Sequence, residues 1–272
     1  MNEKITELKN PLSSNLDEMK TSQIVELINS EDSKISLVIK ELIPLISDLI
    51  NKIIQNIKDG GRLIYVGSGT SGRLGVLDAS ECPPTFSVRN DLVIGIISGG
   101  MDALHTSIEG AEDNKILAQK DVKKYKIDKK DTIIGITTSG TTPYVHEFLK
   151  HAKKIGAYTS ILTSNKIEKY KYIDQDIKFI VGPEILTGST RMKAGTATKM
   201  ILNIISTTTM IKLNKVYKNY MIDLKVSNKK LSNRALYMIS EITGLNKIES
   251  QKLVKESKGN VKNGILMYFK NI

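Results

Sequence analysis

Short apolar runs alternating with amphipathic stretches constrain this chain more than any other feature. Arg62–Val66, Leu92–Ser98, Thr132–Thr137, Thr159–Thr163 and Ile177–Val181 read as buried strands. Ser71–Ser80, Ala103–Glu109, Ile116–Lys124, Pro143–Ile155 and Thr190–Leu213 carry helical spacing. Strands without a polar face, separated by helices, predict an α/β fold: a parallel sheet with helices on both faces. Ligands of such sheets bind beyond the carboxyl ends of the strands. Three Gly/Ser/Thr loops fall there, at Gly67–Gly72, Ser98–Gly100 and Thr137–Thr142.

The first of these loops is the most informative. Gly67, Gly69 and Gly72 allow tight turns and close approach of a ligand. Ser68, Thr70 and Ser71 set hydroxyls among the loop amides, and Leu74, Val76 and Leu77 then open a helix. Free N–H groups and the positive end of a helix dipole make this a site for an anion. A carboxylate, Glu81, follows just before Pro83 and Pro84, which are expected to stop the helix. A phosphate cradle beside an acid points to catalysis on a phosphorylated small molecule. Candidate phosphate ligands are Ser68, Thr70 and Ser71, with Ser139, Gly140 and Thr142 of the third loop.

Other phosphate motifs fit less well. No Gly-Lys-Ser/Thr follows the glycines, so the loop is not a P-loop. Gly67–Gly72 matches G-x-G-x-x-G, but the ribose-binding acid should end a second strand, and Asp91 instead begins one.

With 272 residues the chain can hold a large domain and a small one. One cysteine, Cys82, excludes an internal disulfide and suits a reducing cytoplasm. No apolar run approaches a membrane span, and Met1–Lys4 lacks an apolar signal core. The formal net charge of +11 raises nucleic-acid binding as an option. The basic residues are nearly all scattered lysines, whereas base and phosphate readers lean on arginine, so no nucleic-acid or membrane partner is expected. His105, His146 and His151 show no ligand spacing with the cysteine, so no metal site is expected.

Residues 1 to about 20 read as an extended arm, after which Thr21 can cap a helix. Ser33–Lys58 is a long amphipathic stretch that Pro44 should kink or divide. Thr187–Arg191, with Lys193 close by, is expected to cap the long last helix, with completion of the pocket as an open alternative. Asn233–Ile242, Lys247–Lys258 and Val261–Phe269 predict a small helical bundle. The expected division is therefore 1–222 and 223–272.

Gly69–Phe86, reading Gly-Thr-Ser-Gly-Arg-Leu-Gly-Val-Leu-Asp-Ala-Ser-Glu-Cys-Pro-Pro-Thr-Phe, resembles the signature of the N-acetylmuramic acid 6-phosphate etherases. Gly60–Gly67, Ile108–Asp113 and Thr187–Ala197 add to the resemblance, which runs from about residue 5 to the C-terminus. It implies a sugar isomerase domain with a flavodoxin-like sheet, a small helical C-terminal domain, and a cytoplasmic homodimer. Two positions depart from the family pattern: Thr141 stands where an arginine is usual, and Lys9-Asn10-Pro11 where Arg-Asn-Pro is usual.

The reaction the resemblance implies is cleavage of the D-lactyl ether of N-acetylmuramic acid 6-phosphate, by elimination and then addition of water. Two carboxyls in different protonation states suffice, with no metal or redox cofactor. Glu81 and Glu112 match the family's catalytic positions, Glu81 as proton donor and Glu112 as the group acting at C2. Arg73 is either a structural, solvated residue or a substrate contact. Two other readings keep the same fold: a non-catalytic phosphosugar sensor, like the related glucokinase regulatory protein, and an aldose–ketose isomerase.

Overall fold

A computed structural model describes residues 4–223 and 229–270. The first three residues of the arm, and 224–228 at the start of the expected C-terminal domain, lie outside the described residues. The chain forms two compact units, Met1–Ala79 with Asp91–Ser206, and Ser80–Asn90 with Thr207–Ile272.

In the first unit, β1 (Leu63–Gly67), β2 (Val93–Ile97), β3 (Thr132–Ile136), β4 (Tyr158–Thr163) and β5 (Gln175–Lys178) form one sheet. All its pairings are parallel. Its order, β2-β1-β3-β4-β5, is the flavodoxin-like one. The strands read from the sequence are all present. The fifth lies earlier than expected: Gln175–Lys178 pairs with β4, the Phe179 amide makes the last bond to it, and beyond that the chain leaves the ladder with Phe179 and Val181 buried.

Helices cover both faces of this sheet. Before it come α1 (Thr21–Asp32), α2 (Ile35–Glu41) and α3 (Ile43–Lys58). Pro44 divides the long amphipathic stretch as expected, in the first turn of α3, where its missing N–H costs nothing. Ile46, Leu49, Ile50 and Ile53 form the buried stripe of α3. On the other face, α5 (Lys115–Lys124) and α6 (Pro143–Ile155) bring Ala118, Val122, Val145, Phe148 and Leu149 against Ile64, Val66, Ile133 and Ile161. Each large side chain buried there contributes about 1.5–3 kcal/mol.

Several local expectations are corrected. The arm is not extended: Ile5–Glu7, Pro11–Ser13 and Leu16–Glu18 are short 3₁₀ turns. Thr6 and Asn10 bury their side chains, Thr6 against Asn165 and Asn10 against Glu31 and the Pro183 carbonyl. Lys20, not Thr21, is the N-cap of α1, its backbone N–H bonding Gln23. Pro83 and Pro84 do not stop the helix after β1. This helix, α4, runs from Gly69 to Phe86. Ala79, Cys82 and Phe86 bury one side of it, and that burial outweighs the N–H groups the prolines lack. Ala103–Glu109 is not a helix but a 3₁₀ turn at Met101–Leu104 followed by irregular chain. With only Ala103 and Leu104 drawn inward, the stretch has too little burial to sustain a helical nucleus.

The long last helix of the sheet region, α7 (Lys193–Lys212), starts later than expected. Its cap is not Thr187–Arg191. The buried Glu184 carboxylate accepts the Lys193 and Ala194 amides at 3.0 and 2.9 Å. Burial raises the Glu184 carboxyl above its ordinary range, against the pull of these two amides. The Lys193 ammonium is buried as well and pairs with Glu31. Burial pushes the Glu31 carboxyl up, but bonds from Lys193 and Lys34 hold it below the usual carboxylate range.

In the second unit, α8 (Lys229–Thr243), α9 (Lys247–Glu256) and α10 (Val261–Lys270) form the expected bundle. Its core gathers Ala235, Met238, Ile239, Leu253, Val261 and Ile265. Asn246 caps α9, paired reciprocally with Glu249.

Candidate functional site

The first and second loops meet at the carboxyl ends of β1 and β2. Gly67 closes β1, and a Cβ there would stand 2.6 Å from the Gly72 nitrogen. Only glycine lets the loop fold back so tightly into α4. Ser68 follows, its Oγ 2.5 Å from the Ser98 Oγ beyond β2. Asp78 anchors α4 behind this loop. Its carboxylate accepts from Tyr65 of β1 and from Asn203 and Ser206 of α7 at 2.6–3.0 Å. Burial raises the Asp78 carboxyl, and those three bonds oppose the rise.

Between the two loops lies a cleft of about 310 Å³, formed within the first unit. Ser68, Arg73, Ser98, Ser107, Glu109 and Glu112 contribute its polar wall. Glu112 is exposed, on a 3₁₀ turn (Ala111–Asp113) that follows Gly110 in the left-handed region at φ 71°. The Arg73 Nε donates to the Leu104 carbonyl at 3.1 Å, which fixes the guanidinium at the cleft. A polar pocket with convergent carboxylates, hydroxyls and one cation can bind an anionic substrate and exchange protons with it.

The third loop is built differently. Thr137 Oγ1 lies 2.7 Å from Thr142 Oγ1 and 3.3 Å from Ser139 Oγ. Gly140 has φ 74°, and His146 of α6 reaches its carbonyl from Nε2 at 2.7 Å. The carbonyl can only accept, so Nε2 carries the proton and Nδ1 accepts from the Tyr172 hydroxyl, 2.9 Å away. Burial lowers the His146 pKa, with the Gly140 bond opposing and the Lys150 charge assisting. The Lys4 ammonium donates to Thr141 Oγ1 at 2.8 Å, at the position that departs from the family arginine.

Of the residues singled out in the sequence, Ser68 and Glu112 share the cleft. Thr70 and Ser71 are half-buried in the first turn of α4 and do not line it. Neither do Ser139, Gly140 and Thr142 of the third loop. Glu81 lies in the Ser80–Asn90 segment of the second unit, with its side chain exposed. Ser107 and Glu109 line the cleft without having been singled out, because the helix expected at Ala103–Glu109 hid their loop. Among the described residues no group of three or more His, Cys, Asp or Glu could hold a metal ion. No described helix is long and apolar enough to cross a membrane.

Residues 45–153 match the glucokinase regulatory protein N-terminal SIS domain family, and residues 218–261 match the C-terminal lid domain of glucokinase regulatory protein. Among solved structures, the phosphoheptose isomerase GmhA of Neisseria gonorrhoeae is similar over 70% of this chain and 98% of its own (14% identity, TM-score 0.51). At this identity the likeness is one of fold. The sequence relatives are nearer. The N-acetylmuramic acid 6-phosphate etherase of Geobacillus sp. (strain WCH70) is 48% identical, over 96% of this chain and 89% of its own. That of Histophilus somni (strain 129Pt) is 47% identical over 97% and 87%, and that of Rhodopirellula baltica 44% identical over 100% and 90%. Identity of this order over nearly the whole of both chains makes this chain a member of the N-acetylmuramic acid 6-phosphate etherase family.

Proposed function

We propose that this protein cleaves the D-lactyl ether of N-acetylmuramic acid 6-phosphate, releasing D-lactate and N-acetylglucosamine 6-phosphate. One observation carries the reading: 44–48% identity, over nearly the full chain, to proteins named for that activity. Glu112 in a polar cleft at the carboxyl edge of the sheet supplies a group suited to it.

Ring opening exposes the C1 aldehyde, which acidifies the proton on C2. Glu112 takes that proton. The C–H pair becomes the C2–C3 double bond as the C3–O bond breaks, and its electrons leave with the lactate oxygen. Glu81 gives that oxygen its proton. Water then adds at C3 of the unsaturated aldehyde and C2 regains a proton, so the sum is hydrolysis of the ether. Two carboxyls, one accepting and one donating a proton, serve both halves. Ser68, Thr70 and Ser71, with Ser139, Gly140 and Thr142, bind the phosphate through hydroxyls and amides.

Family membership also supports a cytoplasmic homodimer. The match of 218–261 to a lid domain supports a second domain beginning near residue 223. Incubation of the purified protein with N-acetylmuramic acid 6-phosphate, read by release of D-lactate, tests the function. No lactate under conditions where a known etherase turns over ends the reading, and a ketose product without lactate identifies an isomerase instead.

A further inference from the structure

We propose that Arg73 binds the lactyl carboxylate of the substrate, so that this one side chain distinguishes the ether-bearing sugar from the product. The inference rests on the etherase reading. If Glu112 removes the C2 proton, then C2, C3 and the ether oxygen on C3 lie in the Glu112 cleft. The carboxyl carbon of the lactyl group is only two bonds from that oxygen, so it lies in the same cleft. Among the described residues Arg73 is the single cationic side chain in the cleft wall.

The guanidinium is also held ready for such a partner. Its Nε is committed to the Leu104 carbonyl, which fixes its direction. Among the described residues neither terminal nitrogen has a hydrogen-bond or ion-pair partner, although Glu109 and Glu112 share the cleft. A planar fork whose Nη1/Nη2 edge is free fits a carboxylate with two parallel bonds. The other anionic end of the substrate is the phosphate, and of its six candidate ligands Ser68 alone lines this cleft, while Thr70, Ser71 and the three of the third loop lie outside it. The sugar product keeps the phosphate and loses the carboxylate, so of the two sugar phosphates only the substrate gains the Arg73 contact.

The test measures two ligands on the same variants. Arg73→Lys and Arg73→Gln are compared with the wild type for kcat/KM of D-lactate release and for the Kd of N-acetylglucosamine 6-phosphate by calorimetry. Charge-assisted hydrogen bonds of this kind are each worth roughly tenfold to a hundredfold. The expected result is a fall of about that size in kcat/KM, larger for Gln than for Lys and carried mainly by KM, with the product Kd unchanged within about twofold. Unchanged product binding also shows that each variant is folded. A parallel loss of product affinity overturns the proposal and assigns Arg73 to the phosphate or the sugar ring. Unchanged kcat/KM overturns it as well, leaving a solvated arginine. A wild-type protein that releases no lactate removes the etherase reading itself, a different failure from an active enzyme indifferent to Arg73.

Discussion

Two regions at the same edge of the sheet are built on opposite terms. In the third loop the polar groups are engaged with one another: Thr137 with Thr142 and Ser139, and Gly140 with His146, which Tyr172 holds in turn. No charged side chain belongs to that loop. The cleft between the first two loops carries three charged side chains, Arg73, Glu109 and Glu112, and among the described residues the two carboxylates have no hydrogen-bond or ion-pair partner. A loop shaped before its ligand arrives costs less to order on binding, which suits the phosphate-binding role proposed for the third loop. Side chains that must gain and lose protons gain from having no protein partner to release first. The difference therefore predicts different damage from substitution: rate in the cleft, affinity and stability in the third loop.

The largest expected effect is in the cleft. Glu112→Gln keeps the shape and removes the proton exchange, so kcat for D-lactate release falls by about 10²–10⁴ while substrate affinity holds. Glu81→Gln loses a similar factor, and the double variant loses little more, as groups acting as a unit do. Turnover within a few-fold of wild type in either single variant would require another acid or base.

The third loop responds next. A Cβ at Gly140 would stand 2.4 Å from the Ile167 side chain and 2.9 Å from Thr163 Oγ1, at a positive φ. Gly140→Ala should therefore cost about 1–3 kcal/mol in a denaturant melt and weaken product binding, with kcat less affected. An unchanged product Kd with a lowered kcat would reverse the contrast between the two regions.

His146 gives the third loop a pH dependence of its own. Its folded pKa lies below the ordinary 6.5, so the unfolded chain takes up a proton first as pH falls. The stability tied to neutral His146 is fully present above about pH 6.5 and is lost as pH drops toward the lowered value. The loss is at most about 1.4 kcal/mol per pH unit. Urea melts at pH 7.5 and 5.5 measure it, and His146→Gln should flatten the difference. The smallest effect is Thr142→Val, which removes the nearer of the two hydroxyl partners of Thr137 Oγ1. It should cost about 0.5–1.5 kcal/mol of stability and raise KM several-fold without changing kcat.

Much of the frame was legible because its causes are local. Unbroken apolar runs such as Ile133–Ile136 can only be buried strands when helices flank them, and their alternation implies parallel pairing. The positions of the polar loops followed from that order, and with them the edge that carries Ser68 and Thr142. What local pattern misread was decided by partners distant in the chain. The α7 cap is Glu184 rather than the Thr/Ser stretch nearer the helix, and the buried partner of Lys193 is Glu31, 162 residues away. Proline chemistry alone would end α4, but burial of Ala79, Cys82 and Phe86 continues it.

The sequence by itself determined the α/β class, the strand count, the polar edge and the membership signalled by Gly69–Phe86, because periodicity and glycine spacing act over a few residues. Only the tertiary structure decided that Arg73 and Glu112, on separate elements, share one cleft. It also decided that the stretch after Gly100 lines that cleft as a loop instead of covering it as a helix. Burial and hydrogen bonding between segments settle such choices, and neither has a period that a sequence can display.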